Sequence, residues 1–156
     1  MTQVAKACLD KVVTDIQYCM HRSISFFVVP IQHTSSQKTV ELAAAKVNLE
    51  NELSALPDTL KISESVTLDL IYCSGKSRKV KNPTIIFFNA NSAYYESYGL
   101  KSGCLSLFKQ LLQRDYNLLF FNYRGIGESS GIISKSGMIE DGRQIVEYIK
   151  RKGVVD

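Results

Sequence analysis

At 156 residues the chain is long enough for one compact domain and too short for two comfortable ones. Its 45% hydrophobic and 22% charged residues are those of a globular protein, which excludes a disordered or fibrous chain. The net charge of +4 is thinly spread, with Lys76 to Lys81 as its one basic run, and no nucleic-acid footprint is expected.

Cys8, Cys19, Cys73 and Cys104 lie far apart, with no C-x-x-C pair and no histidine beside them. Neither a metal site nor a disulfide framework is expected from that spacing, and no cofactor. Reduced, buried thiols imply a cytoplasmic setting. The apolar run Ile24 to Ile31 is too short to span a bilayer, and the polar first twenty residues do not form a secretory signal. A bacterial effector exported by a specialised system would carry no mark in these patterns.

Val4, Cys8, Val12, Ile16 and Cys19 or Met20 stand at helical spacing, which predicts an amphipathic helix over residues 3–21. Ile24 to Val29 is rich in β-branched and aromatic residues and stops at Pro30, as a short strand would. Leu42, Leu49, Leu53 and Leu56 place a second helix from Thr39 to Leu56, closed by Pro57-Asp58. These elements make residues 1–62 a helical extension with one short strand, and leave 63–156 as the second region.

There the pattern changes. Val66, Leu68, Leu70 and Tyr72 alternate through Ser65 to Cys73, which predicts a half-buried antiparallel strand. Beyond the basic turn Ser74 to Pro83, Thr84 to Phe88 is a continuous apolar run, as in a strand covered on both faces. Leu105, Phe108, Leu111 and Leu112 define a helix over 101–114, and Leu118 to Phe121 is a second apolar strand. A glycine-rich turn follows from Arg124 to Gly131. Met138, Ile145 and Ile149 then mark a helix from Gly137 to Lys152, with acidic residues expected in its first turn. The order β-β-α-β-α is that of an α/β fold with parallel strands.

Two blocks carry a resemblance. Asn82-Pro83-Thr84-Ile85-Ile86-Phe87-Phe88-Asn89-Ala90-Asn91 resembles the third strand of an α/β-hydrolase and the oxyanion turn after it. Asn117-Leu118-Leu119-Phe120-Phe121-Asn122-Tyr123-Arg124-Gly125-Ile126-Gly127-Glu128-Ser129 is similar to the fourth strand and its D-Y-R-G-x-G-x-S turn. Glu140-Asp141 through Lys150 resembles the helix that leads to the nucleophile strand. With Tyr95-Glu96 following it, the asparagine-rich turn resembles that of CHLPS-type hydrolase-like proteins of chlamydiae and Legionella.

The resemblance implies a truncated α/β-hydrolase sheet preceded by two N-terminal helices. It implies that the turn Asn89-Ala90-Asn91 supplies a backbone N–H, with Asn91 as donor, about 3 Å from a developing oxyanion. The family's usual His-Gly is absent there, so Ala90 restricts the backbone where glycine would not. Arg124, Gly125, Gly127 and Ser129 are implied to be structural, the glycines reversing the chain sharply. Asn122 replaces the family's aspartate, and Arg124 is expected to pair with Glu140 or Asp141. In the full fold, the strand after Asp156 lies beside Thr84 to Phe88.

Other motifs fail on their chemistry. Gly75-Lys76-Ser77 ends like a P-loop, but Leu70 stands where the first glycine belongs. Gly125, Gly127 and Gly131 follow a later strand and do not open a helix, as a dinucleotide fingerprint must. His21 and His33 precede the sheet, whereas the family's catalytic histidine follows serine and acid. No G-x-S-x-G is present.

The expected function is therefore the N-terminal portion of a serine hydrolase of the esterase, lipase or peptidase kind. It is inactive alone, and in the full-length form it acts on a small ester or amide. The alternatives are a non-catalytic interaction protein, or the product of a split gene. Such a protein would engage a partner through the N-terminal helices, or self-associate at an open sheet edge.

Overall fold

A computed structural model of the chain describes residues 36–77, 82–89 and 93–152, with side chains from residue 40 onward. The helix expected over 3–21, the strand Ile24 to Val29, Cys8, Cys19, His21 and His33 lie outside the described residues. The elements, in chain order, are α1 (Ser36–Leu53), β1 (Leu56–Lys61), β2 (Thr67–Cys73), β3 (Thr84–Phe87), a 3₁₀ helix (Tyr95–Leu100), α2 (Ser102–Gln113), β4 (Asn117–Phe121) and α3 (Lys135–Arg151).

The four strands form a mixed sheet in the order β1-β2-β4-β3. β1 runs antiparallel to β2, and β2 antiparallel to β4, with Leu70 opposite Phe121. β3 and β4 are parallel, Thr84 opposite Asn117 and Phe87 opposite Phe120. Among the described residues β3 has a neighbour on one side only.

Alternation along β2 and β4 sorts their side chains onto two faces. Leu68, Leu70, Leu119 and Phe121 pack with Ile145, Tyr148 and Ile149 of α3. Ile71, Cys73, Leu118 and Phe120 pack with Leu49 and Leu53 of α1, Tyr95 of the 3₁₀ helix and Phe108 of α2. Phe87, Phe108 and Phe120 form the aromatic centre of that second face, with ring centroids 4.5–5.1 Å apart. All five residues of β4 are buried. Truncating one of its leucines to alanine costs about 2–5 kcal/mol.

Several boundaries differ from the sequence reading, each for a physical reason. The second helix stops at Leu53, not Leu56, because Ser54 takes a left-handed conformation (φ 50°). The amides of Ser54 and Ala55 then bond back to Asn51 and Glu50, a Schellman closure. Leu56 and Pro57 thus open a strand that the sequence did not announce. Pro57 is tolerated there because, among the described residues, β1 is at the edge of the sheet, where a missing N–H is harmless. The strand ending at Cys73 is buried on both faces rather than half-buried, since helices cover both sides of the sheet. β3 is only partly buried throughout and Phe88 is 49% exposed, contrary to a strand covered on both faces. The last helix begins at Lys135. Its N-cap is Ser134, whose hydroxyl accepts from the Gly137 amide at 3.0 Å, and its first turn holds no acidic residue.

No helix among the described residues is long and apolar enough to cross a membrane.

Candidate functional site

β3 and β4 are parallel, so their carboxyl ends lie together, the edge at which α/β sheets place their ligand-binding groups. Asn89 follows β3 and Asn122 follows β4. Each is a polar residue at the end of an apolar strand, and each is buried, Asn122 completely. Such groups stay in a protein interior only when hydrogen-bonded.

Their partners account for both. Asn89 donates its amide to the Phe121 carbonyl at 2.8 Å and to Asn122 Oδ1 at 3.3 Å, and accepts from the Tyr98 hydroxyl at 3.3 Å. Asn122 Oδ1 also accepts the backbone N–H of Tyr95 at 3.2 Å. Asn122 Nδ2 donates to Glu96 Oε1 and Oε2 at 2.9 and 3.0 Å. Glu96 is 4% exposed, and burial raises its carboxyl above the usual range although Asn122 and its own backbone N–H pull it down.

The network continues across the sheet. The Tyr95 hydroxyl donates to Asp69 Oδ2 at 2.7 Å, and burial beside that carboxylate pushes the phenol far up, so it remains a donor. Lys46 of α1 donates to Asp69 at 3.0 Å and to Glu128 at 2.6 Å. Burial lowers the Lys46 ammonium, but the bonds to Glu128 and Asp69 outweigh it and leave its pKa raised. Ser129 accepts from the Asp69 amide and donates to the Asn122 carbonyl, both at 2.8 Å. Its hydroxyl is fully engaged and 5% exposed, unlike an attacking nucleophile.

The turn after β4 is built around this cluster. Gly125 and Gly127 have φ of 69° and 59°. A Cβ on Gly127 would stand 2.5 Å from Asn122 Nδ2 and 3.2 Å from Glu96 Oε1, so the glycine also leaves room for the pair. Arg124 turns the other way. Its backbone N–H donates to Asp141 Oδ2 at 2.9 Å, and its guanidinium reaches Asp141 Oδ1 at 2.9 and 2.6 Å. Glu140 does not bond to the guanidinium but adds to the negative charge that raises its pKa, and it accepts from Gln144 at 2.8 Å.

Of the expected oxyanion turn, Asn89 is placed as above, while Ala90 and Asn91 lie outside the described residues. Sequence reasoning missed Lys46, Asp69 and Glu128. Asp69 had one signal, a carboxylate in the middle of a strand otherwise apolar on that face. Among the described residues no group of His, Cys, Asp and Glu is arranged to hold a metal. Cys73 and Cys104 are free thiols, and burial pushes the Cys73 thiol up to about 12, which makes it inert.

No protein-family model matches the chain. Among curated proteins it is 32% identical over 73 residues to the uncharacterized protein YfhR of Salmonella typhimurium and to that of Salmonella typhi. That match takes in 47% of this chain and 23% of each relative. Among solved structures, an alpha-beta hydrolase from Vibrio vulnificus matches with a TM-score of 0.50 and 24% identity, over 76% of this chain and 36% of that one. The Pyrococcus furiosus esterase Pf2001 matches with a TM-score of 0.52 and 17% identity, over 80% of this chain and 43% of the esterase. The chain thus spans less than half the length of these solved proteins and about a quarter of the curated ones. Over part of its length it has an α/β-hydrolase-like fold.

Proposed function

We propose that the chain supplies the oxyanion side of the cleft in a serine-hydrolase-like domain of the esterase, lipase or peptidase kind. In this reading nucleophile, acid and histidine come from polypeptide beyond these 156 residues. The observation that carries it is the position of Asn89. It leaves β3 at the carboxyl edge of a parallel pair, with its amide fixed to Phe121 of the neighbouring strand and to Asn122 just after it. The turn that begins there would present the Asn91 N–H to a carbonyl oxygen under attack. In the complete domain, a serine assisted by histidine adds to an ester or amide carbon, and that oxygen takes up the negative charge. Ala90-Asn91 would offset part of it, and Arg124 on Asp141 would hold the adjoining turn.

The test has two arms. Purified residues 1–156, assayed on short p-nitrophenyl esters, should show no turnover above buffer. The DNA downstream of codon 156 should encode a G-x-S-x-G segment, in frame or in a neighbouring frame. Turnover that vanishes on mutating a residue within the chain would overturn the reading. So would a downstream sequence without any nucleophile elbow.

A second reading, a non-catalytic binding protein, is favoured by one observation. β3 has no strand on one side among the described residues, and Phe88 and Ile139 are about half exposed. Such an edge is a template for pairing with another chain.

A further inference from the structure

α1 buries a narrow stripe, Ala45, Leu49 and Leu53, at four-residue spacing. From that stripe it grips the 3₁₀ helix at both ends. At the far end Gly99 lies so close to α1 that a Cβ there would stand 2.0 Å from the Ala45 carbonyl oxygen. The Asn48 amide also donates to the Gly99 carbonyl at 2.6 Å. At the near end Lys46 and the Tyr95 hydroxyl meet on the two oxygens of Asp69, at 3.0 and 2.7 Å. The ammonium lies 5.8 Å from the Tyr95 ring centre. Two segments far apart in sequence are thus joined to each other as closely as to the sheet beneath them.

We propose that α1 and the 3₁₀ helix form one latch, closed by Lys46, that lifts from the sheet as a unit and is loosened by salt. When it lifts, the Tyr95 amide and the Glu96 carboxylate leave Asn122, and the carboxyl end of β4 is uncovered. The latch stands whether or not that edge belongs to a hydrolase.

Opposing contributions set its balance. Lifting exposes Leu49 and Leu53, which pack on Ile71, Cys73 and Phe120, and this favours the closed state. It also returns Lys46 and Asp69 to water, which offsets part of that cost. The Lys46 side chain is 16% exposed, Asp69 7% and Glu128 70%. Dissolved ions therefore reach the bond to Glu128, whereas the bond to Asp69 is sheltered from them. The opposite face of the sheet, where α3 packs on Leu68, Leu70, Leu119 and Phe121, takes no part in the opening. Proteins open in such contiguous units, each with its own stability.

Native-state hydrogen exchange of residues 1–156, read on peptides by mass spectrometry at low urea concentrations, tests the latch. In the wild type the amides of α1 and the 3₁₀ helix should share one opening, easier than that of β4 and α3. Ile145→Val weakens only the opposite face, so exchange in β4 and α3 should quicken about fivefold while α1 and the 3₁₀ helix keep their rates. Lys46→Met leaves buried Asp69 with the Tyr95 hydroxyl alone, and should quicken α1 and the 3₁₀ helix together by about tenfold or more. Raising salt from about 0.05 M to about 0.5 M should quicken the same two segments about threefold in the wild type and leave them unchanged in Glu128→Gln. If Lys46→Met does not fold, Ile145→Val and the salt comparison decide the same point. Latch segments that quicken with β4 in Ile145→Val, that respond separately to Lys46→Met, or that ignore salt would overturn the latch. None of these readouts involves an ester, so failure of the proposed function and failure of the latch give different results.

Discussion

Replacing Asp141 by alanine removes three hydrogen bonds at once, two to the Arg124 guanidinium and one to its backbone N–H. Asp141 is fully buried, while the Arg124 side chain keeps 16% of its surface in water. Losing one partner of a buried pair costs about 3–5 kcal/mol, and an exposed pair contributes about 0–1 kcal/mol. In Asp141→Ala the orphaned guanidinium can turn toward water, so the expected loss is about 2–3 kcal/mol, weighted between those limits. Arg124→Ala is the harsher change. It leaves a carboxylate that is buried in the wild type with the backbone N–H of residue 124 in place of three donors, for about 4 kcal/mol. The double variant should lose less than the sum of the two by about 1–3 kcal/mol, because the pair is removed as a unit. The chain has no tryptophan, so urea unfolding followed by far-ultraviolet circular dichroism is the assay. Both single variants within about 1 kcal/mol of wild type, or Arg124→Ala milder than Asp141→Ala, would refute the reasoning.

Tyr95→Phe deletes the hydroxyl that reaches Asp69 and should cost about 1–3 kcal/mol by the same urea titration, since a buried carboxylate loses a donor. Glu96 has a raised carboxyl pKa, so its stability contribution is complete below the usual carboxylate range and is lost as pH rises through the raised value. Stability measured upward from pH 4.5 should therefore fall with a slope that Glu96→Gln removes. Asp58 has the opposite sign. Burial raises its carboxyl, but bonds from Lys152, Tyr148 and the Thr59 amide outweigh that and lower it. Its contribution is present above the usual range and is lost as pH falls through the lowered value, so Asp58→Asn should flatten the acid limb of the same titration. The chain alone should also self-associate in size-exclusion chromatography and bind a hydrophobic dye through the β3 edge; a monodisperse monomer without dye binding would contradict this.

The elements that the sequence announced are those whose side chains face one environment along their length. β4 is buried at every position, and an unbroken apolar run is its direct image. α2 and α3 carry one apolar stripe each, and their spacing placed them within two residues. The failures occur where tertiary contacts override local pattern. Leu56 continues the helical period of Leu49 and Leu53, yet Ser54 ends the helix in a left-handed closure usually marked by glycine. Nothing in a serine gives that away. β3 reads as fully covered because its residues are apolar, but apolarity does not say on which side a strand has a neighbour. At the site, Arg124 and Asp141 were legible as a pair because each stands in a motif with fixed spacing, whereas the hydrogen bonds of Asn89 and Asn122 were not. Asp69, Glu96 and Lys46 join them across 23 to 82 residues of chain, and no local pattern encodes such pairings.

The most direct test of the hydrolase reading is to reconstitute the cleft. Residues 1–156 would be co-expressed with the polypeptide encoded downstream of codon 156, and kcat and KM measured on p-nitrophenyl butyrate for wild type and Asn91→Pro. Proline removes the backbone N–H without adding a charge. The account predicts turnover in the wild-type complex and a fall of about 10²–10³ in kcat for Asn91→Pro, with KM and thermal midpoint little changed, as loss of one oxyanion donor requires. A complex whose kcat is unaffected by Asn91→Pro, or two halves that neither associate nor hydrolyse the ester, would contradict it.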